Sequence, residues 1–235
     1  MNYYPAGFDI RLPDQLKHNS TSYHCMEEIT RFQHWENIYS TKELHEVGWY
    51  QSVPVTSLKM IKDLNLLKTA SIIDIGGGDS HLAPILISEG YTNITVLDLS
   101  AKAIERAKQR LGNDATKIEW IVSDILDFKP HKKYDCWHDR AAFHFLIKKD
   151  EIEKYVSISA DAIHTNGSII IGTFSEKGPT KCSGLNISQY STDLLNKTFN
   201  PHFKLKESLN PEHKTPGGFK QHFTFCRFER NSNNH

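Results

Sequence analysis

The sequence predicts an α/β fold: a doubly wound sheet of mostly parallel strands with one antiparallel strand at its side. Three observations predict it. From residue 71 onward, short apolar runs alternate with helical patterns. The first run, SIIDI at 71–75, breaks into three consecutive glycines, Gly76–Gly78, before a helical pattern resumes. The last third instead holds two strand-like runs around a turn containing Pro211, Pro216, Gly217 and Gly218, which predicts a closing hairpin. With 235 residues, the chain is long enough for one such domain and a substantial core.

The elements follow in order. Helical spacing covers 26–39 and again 57–67, the second stretch introduced by Pro54. The first strand is 71–75, and a helix follows over 79–89, stopped by Gly90. Pro84 falls near the first turn of that helix, where its missing N–H costs least. A second strand at 94–97 ends in Asp98. Ser100 is an N-cap for a helix that ends at Gly112. Strands at 118–122 and 134–137, a helix at 151–163 and a strand at 168–173 complete the alternation. A helix at 191–197 precedes the hairpin strands at 203–208 and 222–229.

Composition narrows the partners. Lys plus Arg and Asp plus Glu both number 28, so the formal charge is zero and gives no support for a nucleic-acid partner. No apolar run is long enough to span a membrane, and MNYYPAGFDI has neither the basic start nor the apolar core of a signal peptide. A cytoplasmic location is the expectation. The four cysteines, Cys25, Cys136, Cys182 and Cys226, form no CxxC pair, and the 13 histidines form no ligand motif, so no metal site is expected.

The glycine run carries the chemistry. Glycines let the backbone turn sharply and approach a ligand closely, and the helix behind them presents free N–H groups. An acid ending the second strand, Asp98, can hold ribose hydroxyls. This is a nucleotide-type cofactor site, but not one for a dinucleotide. In IGGGDSH, the place of the third glycine of GxGxxG is taken by His81. No Tyr-x-x-x-Lys pair for hydride chemistry is present, and the absence of GK[ST] excludes a P-loop. Asp74 and Asp79, in and beside the loop, would repel a pyrophosphate. Two carboxylates suit a cationic ligand, and S-adenosylmethionine carries an ammonium and a sulfonium with no phosphate.

At this point the chain resembles the class I S-adenosylmethionine-dependent methyltransferases. The likeness rests on DIGGGDS, VLDLS, SDILDF and YDCWHDRAAFHFL, four motifs in register across about 72–173. It implies a Rossmann-like seven-stranded sheet in the order 3-2-1-4-5-7-6. It also implies one domain over 1–235: a helical lead-in and cap at 1–68, a cofactor-binding core at 69–175, and substrate-side loops with the hairpin at 176–235. By this resemblance Asp74 and the backbone of Gly76, Gly77 and Gly78 cradle the methionine part, and Asp98 takes the ribose hydroxyls with Leu99 beside the adenine. Asp124 accepts from the adenine amino group, the Ile125 backbone meets the ring, and Trp35 and Tyr39 of HWENIY cap the cofactor. Trp35 and Tyr39 equally fit a core pair four apart on a helix.

The implied reaction is methyl transfer by in-line displacement, leaving S-adenosylhomocysteine. The segment after strand four, WHDRAAFHFL, supplies the catalytic candidates His138, Asp139 and His144. It resembles the DKGT-type motif of the methyltransferase-like lysine methyltransferases. Asp139 matches that motif's Asp, whereas Arg140 replaces its Lys and Ala141–Ala142 replace its Gly-Thr. The expected partner is therefore a methyl acceptor, either a protein side chain, with lysine the named candidate, or a small molecule. A non-catalytic S-adenosylmethionine-binding module is the alternative. Cys182 in the loop FSEKGPTKCSGL, and His213 and His222 beside the hairpin turn, are further residues for the acceptor side.

Overall fold

The computed structural model describes residues 20–232, with side chains from residue 31. Six α-helices and seven long strands alternate along it. These are α1 Ser20–Thr41, α2 Val55–Lys62, β1 Ser71–Ile75, α3 Leu82–Ser88, β2 Asn93–Asp98, α4 Ala101–Leu111 and β3 Ile118–Val122. Then come β4 Tyr134–Arg140, α5 Lys149–Ala162, β5 Ile163–Phe174, α6 Thr192–Phe199, β6 Phe203–Leu209 and β7 Lys220–Arg230. The sheet order is β3-β2-β1-β4-β5-β7-β6. β1 to β5 pair in parallel, while β7 runs antiparallel to both β5 and β6. The 3-2-1-4-5-7-6 order and the antiparallel last strand are therefore present.

All five residues of β1 are buried, because helices cover both faces of the sheet. Ile73 and Ile75 join Trp137, Phe143, Tyr155 and Phe199 on one face, and Ile72 joins Leu82, Leu86, Ile170 and Phe223 on the other. Ser100 caps α4 as expected, accepting from the Ala103 N–H at 3.1 Å.

Several boundaries differ from the sequence expectation, among them those of α1, which spans Ser20–Thr41 rather than 26–39. α3 starts at Leu82 rather than 79, because Ser80 Oγ accepts the Leu82 N–H at 3.0 Å and the Asp79 carboxylate is drawn to Arg106 and Arg110 of α4. α2 starts earlier, at Val55, and ends earlier, at Lys62; Asn65, at φ 50°, then turns the chain away. β4 runs on to Arg140, since Asp139 pairs with both Ile75 and Ile171 in the sheet. Its polar His-Asp-Arg end does not look like a buried strand in sequence. β5 begins at Ile163, earlier than its apolar run. Within the 174–185 loop, Lys181–Cys182 pairs with Leu185–Asn186 as a small ribbon, and Glu212–Lys214 adds a short strand to β7.

Candidate active site

The sheet order reverses between β1 and β4, and in open α/β sheets ligands bind at the carboxyl ends of the strands beside such a switch. β1 ends in the glycine loop there, β2 ends at Asp98, and β4 ends at Arg140. The loop is squeezed between carboxylates. The Gly78 N–H donates to Asp98 Oδ2 at 2.9 Å, and the Ser100 N–H donates to Oδ1 at 2.8 Å. A Cβ on Gly78 would lie 2.5 Å from Asp98 Oδ2 and 2.6 Å from the Ala103 Cβ, and one on Gly77 would overlap the Asp74 carboxylate. Gly76 sits at φ 65°, and a Cβ there would lie 2.8 Å from the Ala142 Cβ. The loop thus needs glycine for clearance as much as for conformation.

Two neighbouring cavities open over this edge. The first is lined by Trp35, Tyr39, Asp98, Leu99, Asp124 and Ile125, among others. The second is lined by Asp74, Gly77, Ser57 and His138. Tyr39, Trp49, Ile75, Gly76 and Arg140 border both. Gly78 borders neither; it is pinned beneath, on Asp98.

α1 lies over the first cavity. Its Glu36 accepts from Ser100 Oγ at 2.7 Å and from the Lys102 N–H at 3.1 Å. Its Arg31 pairs with Glu151 at 2.8 Å and lies 3.6 Å from Asp124. Trp35 packs edge-on against Phe145, with ring centres 5.1 Å apart, and against Trp49 at 5.8 Å. Of this lining, Arg31, Trp49 and Phe145 were not read from the sequence; Arg140 was singled out there only as the Lys replacement of the DKGT-type motif. Trp49 lies in no motif, and no local pattern marks it.

Burial sets the charge state of the site. Asp98 is pushed up to about 6, mainly by desolvation and further by Asp74 and Glu36, while the Gly78 and Ser100 N–H groups pull it back. Burial also raises the Tyr39 hydroxyl well above the usual range, so it stays protonated.

A family model described as "Methyltransferase domain" matches residues 72–167, which contain the glycine loop, Asp98, Asp124 and Arg140. Residues 72–167 are thus a methyltransferase domain, similar to those of the class I S-adenosylmethionine-dependent methyltransferases. The domain is 27% identical over 111 residues to malonyl-[acyl-carrier protein] O-methyltransferase 1 of Ilyobacter polytropus, covering 47% of this chain and 40% of that protein. The match thus spans less than half of that relative's length. EEF1A lysine methyltransferase 2 of Danio rerio is 24% identical over 192 residues, covering 75% of this chain and 76% of its own. The solved Burkholderia thailandensis 1,6-didemethyltoxoflavin-N1-methyltransferase, with its substrate and S-adenosylhomocysteine bound, shares the fold at a TM-score of 0.63. It is 14% identical, and the alignment covers 95% of this chain and 94% of that one.

The site of the methyltransferase domain fits a cationic adenosine cofactor. Asp74 Oδ2 is buried with no partner, beside a second cavity that the glycine loop borders. An ammonium is the natural complement of such an oxygen. Asp98 keeps lone pairs for hydroxyl donors beyond its two backbone bonds. Among the described residues, no group of three or more His, Cys, Asp or Glu is placed to hold a metal ion, and no helix is long and apolar enough to cross a membrane.

The three catalytic candidates fall differently. His138 borders the second cavity, but its Nδ1–H donates to Asp74 Oδ1 at 2.7 Å and its Nε2 pairs with the Ser57 hydroxyl at 2.8 Å. His144 borders neither cavity; its ring packs on Phe145 and Phe174, and burial pushes it down to about 3. Asp139 borders neither cavity as well. Its carboxylate accepts from the Ala142 N–H at 3.0 Å, from the Phe143 N–H at 3.0 and 3.1 Å, and from the Tyr155 hydroxyl at 2.7 Å. Tyr155 in turn accepts from Trp137 Nε1–H at 2.9 Å. Asp139 and His144 thus lie outside both cavities, and the Asp139 carboxylate is engaged by its own turn and by Tyr155. Asp139 fixes the turn that carries Ala141, at φ 66°, where the DKGT-type motif has glycine.

Asp139→Asn puts an N–H₂ group where Oδ2 accepts from the Phe143 N–H and the Tyr155 hydroxyl. It is expected to lower unfolding stability by about 2–4 kcal/mol, read from the urea midpoint, with cofactor affinity of the folded protein within about twofold of wild type. Lost cofactor binding at unchanged stability would return Asp139 to the site.

On the acceptor side, Cys182 borders the first cavity, and burial holds its thiol up at about 11, so it is not a ready thiolate. His213 borders neither cavity; its Nε2 lies 3.0 Å from the Gly48 carbonyl oxygen and its Nδ1 3.2 Å from Gln51 Nε2. His222 is partly exposed, 3.8 Å from Glu212, and also borders neither cavity.

Proposed function

We propose that this protein transfers the methyl group of S-adenosylmethionine to a small-molecule acceptor. The observation that carries this reading is the wall of the first cavity where the acceptor would sit. It is built from Trp35, Trp49 and Phe145 with Arg140, and no free carboxylate faces it from β4. A protein lysine would need a carbonyl or carboxylate to steady its amine, and Asp139, the residue expected to provide one, is taken up by its own turn. Arg140 at the same wall repels an ammonium.

When bound, the cofactor supplies an electrophilic methyl on a cationic sulfur, which leaves as a neutral thioether while the acceptor's electron pair forms the new bond. The chain's own contribution is alignment and exclusion of water. Asp98, Asp74 and the glycine loop fix the cofactor from below, and the α1 aromatics close the cavity from above. The named relatives act on different acceptors, a malonyl-[acyl-carrier protein] and a lysine by their names, so the acceptor class rests on the cavity.

Calorimetry with S-adenosylhomocysteine, followed by labelled methyl transfer into cell extracts split by size, tests this. One-to-one binding with label in the small-molecule fraction is expected. Label confined to protein would restore lysine as the leading acceptor. Binding without transfer to either fraction would favour the non-catalytic module.

A further inference from the structure

Arg140 ends β4 between the two cavities and borders both. Its Nη1 donates to the Trp49 carbonyl oxygen at 3.0 Å, and its guanidinium lies 5.3 Å from the Phe223 ring centre. Its Nη2 is shut away from solvent without a partner. Among the described residues, no carboxylate pairs with it. The nearby acids are engaged elsewhere: Asp74 on His138, and Asp98 on the Gly78 and Ser100 N–H groups. Burial weakens its hold on the proton, pulling it down to about 10, so it stays cationic at neutral pH. A guanidinium nitrogen held out of water without a partner is costly unless a ligand completes it. Its planar fork matches a carboxylate through two parallel N–H···O bonds.

We propose that Arg140 makes this enzyme select acceptors that carry a carboxylate, which the guanidinium holds while Trp35, Trp49 and Phe145 enclose the organic body. The inference rests on the methyltransferase reading and narrows it to small organic acids. The cofactor's own methionine carboxylate offers the same chemistry, so the test must separate the two sources.

Calorimetry on the full chain separates them. S-adenosylhomocysteine carries the methionine carboxylate and 5′-methylthioadenosine does not. The acceptor probes are acetate, phenylacetate and benzoate, each paired with its amide and titrated into protein saturated with S-adenosylhomocysteine. At least one acid is expected to bind about tenfold or more tightly than its amide. That preference should vanish in Arg140→Met and weaken in Arg140→Lys, which keeps the charge without the fork. S-adenosylhomocysteine affinity should stay within about threefold in both variants. If no acid outbinds its amide on wild-type protein, the proposal is wrong, whatever the variants do. If Arg140→Met loses S-adenosylhomocysteine but keeps 5′-methylthioadenosine, Arg140 grips the cofactor instead and the proposal is equally overturned. Failure of wild-type protein to bind S-adenosylhomocysteine at all is a different result, which removes the methyltransferase reading itself.

Discussion

Gly78→Ala is expected to lower affinity for S-adenosylhomocysteine by about a hundredfold or more, and to cost about 1–3 kcal/mol of stability, as overpacking of a closed site does. The new methyl would lie 2.5 Å from Asp98 Oδ2 and 2.6 Å from the Ala103 Cβ, and neither can retreat. Asp98 is held by two backbone N–H groups, and Ala103 sits in the first turn of α4 against the sheet. The loop must therefore lift, which breaks the Gly78–Asp98 bond and moves the Gly76–Gly77 backbone that borders the cavities. Gly112→Ala is the control for glycine loss as such: at φ 57° it carries strain but has nothing within 4 Å of the added carbon. Calorimetry on both variants decides the matter. Equal cofactor affinity in the Gly78 variant and wild type would show that the loop does not form the floor of the site.

Asp98→Ala should weaken cofactor binding by about 1–3 kcal/mol, since a charge-assisted bond to each of two ribose hydroxyls is lost. The same residue predicts a pH dependence with a definite sign. Its folded pKa, about 6, stands above the usual 3.8, so the ligand-free fold favours the protonated acid. From this group the free protein loses stability as pH rises from about 4 to about 6, and the dependence is flat above that. Hydroxyl donors and a cationic ligand favour the ionised form. Affinity for S-adenosylmethionine is therefore expected to hold above about pH 6 and to fall below it, by up to about tenfold per pH unit for one linked proton. Titrations from pH 5 to 8 on wild type and on Asp98→Asn check it. A slope that survives in the Asn variant would belong to another group.

The parts of this molecule legible in its sequence are those where one local rule decides. β1, β2 and β3 are short apolar runs, Ser100 caps α4, and Gly90 and Gly112 stop their helices, so each element announces itself. The Pro-Gly turn announced the hairpin in the same way. The end of β4 did not, because His138, Asp139 and Arg140 are polar residues buried by partners far away in sequence: Ser57 and Asp74, Tyr155, and Trp49. A segment rich in titratable groups at the right place invites a catalytic reading. Only the tertiary partners show that the Asp139 carboxylate is fully engaged while the Arg140 guanidinium keeps one nitrogen without a partner. Trp49 and Arg31 were invisible for the same reason, since their place at the cavity depends on how α1 and the following loop lie over the sheet.

α4 sends no side chain into either cavity, yet almost every wall leans on it. Its first turn receives Glu36 from α1, its cap residue holds Asp98, and Ala103 sets the height of the glycine loop. Arg106 reaches both the Tyr39 carbonyl oxygen and Asp79, and Arg110 takes Asp79 as well. Roof and floor of the pocket are thus set from a single jig outside it. Residues that never meet a ligand fix the spacing between those that do, so a shift of this helix by a fraction of an ångström would retune the pocket as a whole rather than one contact at a time.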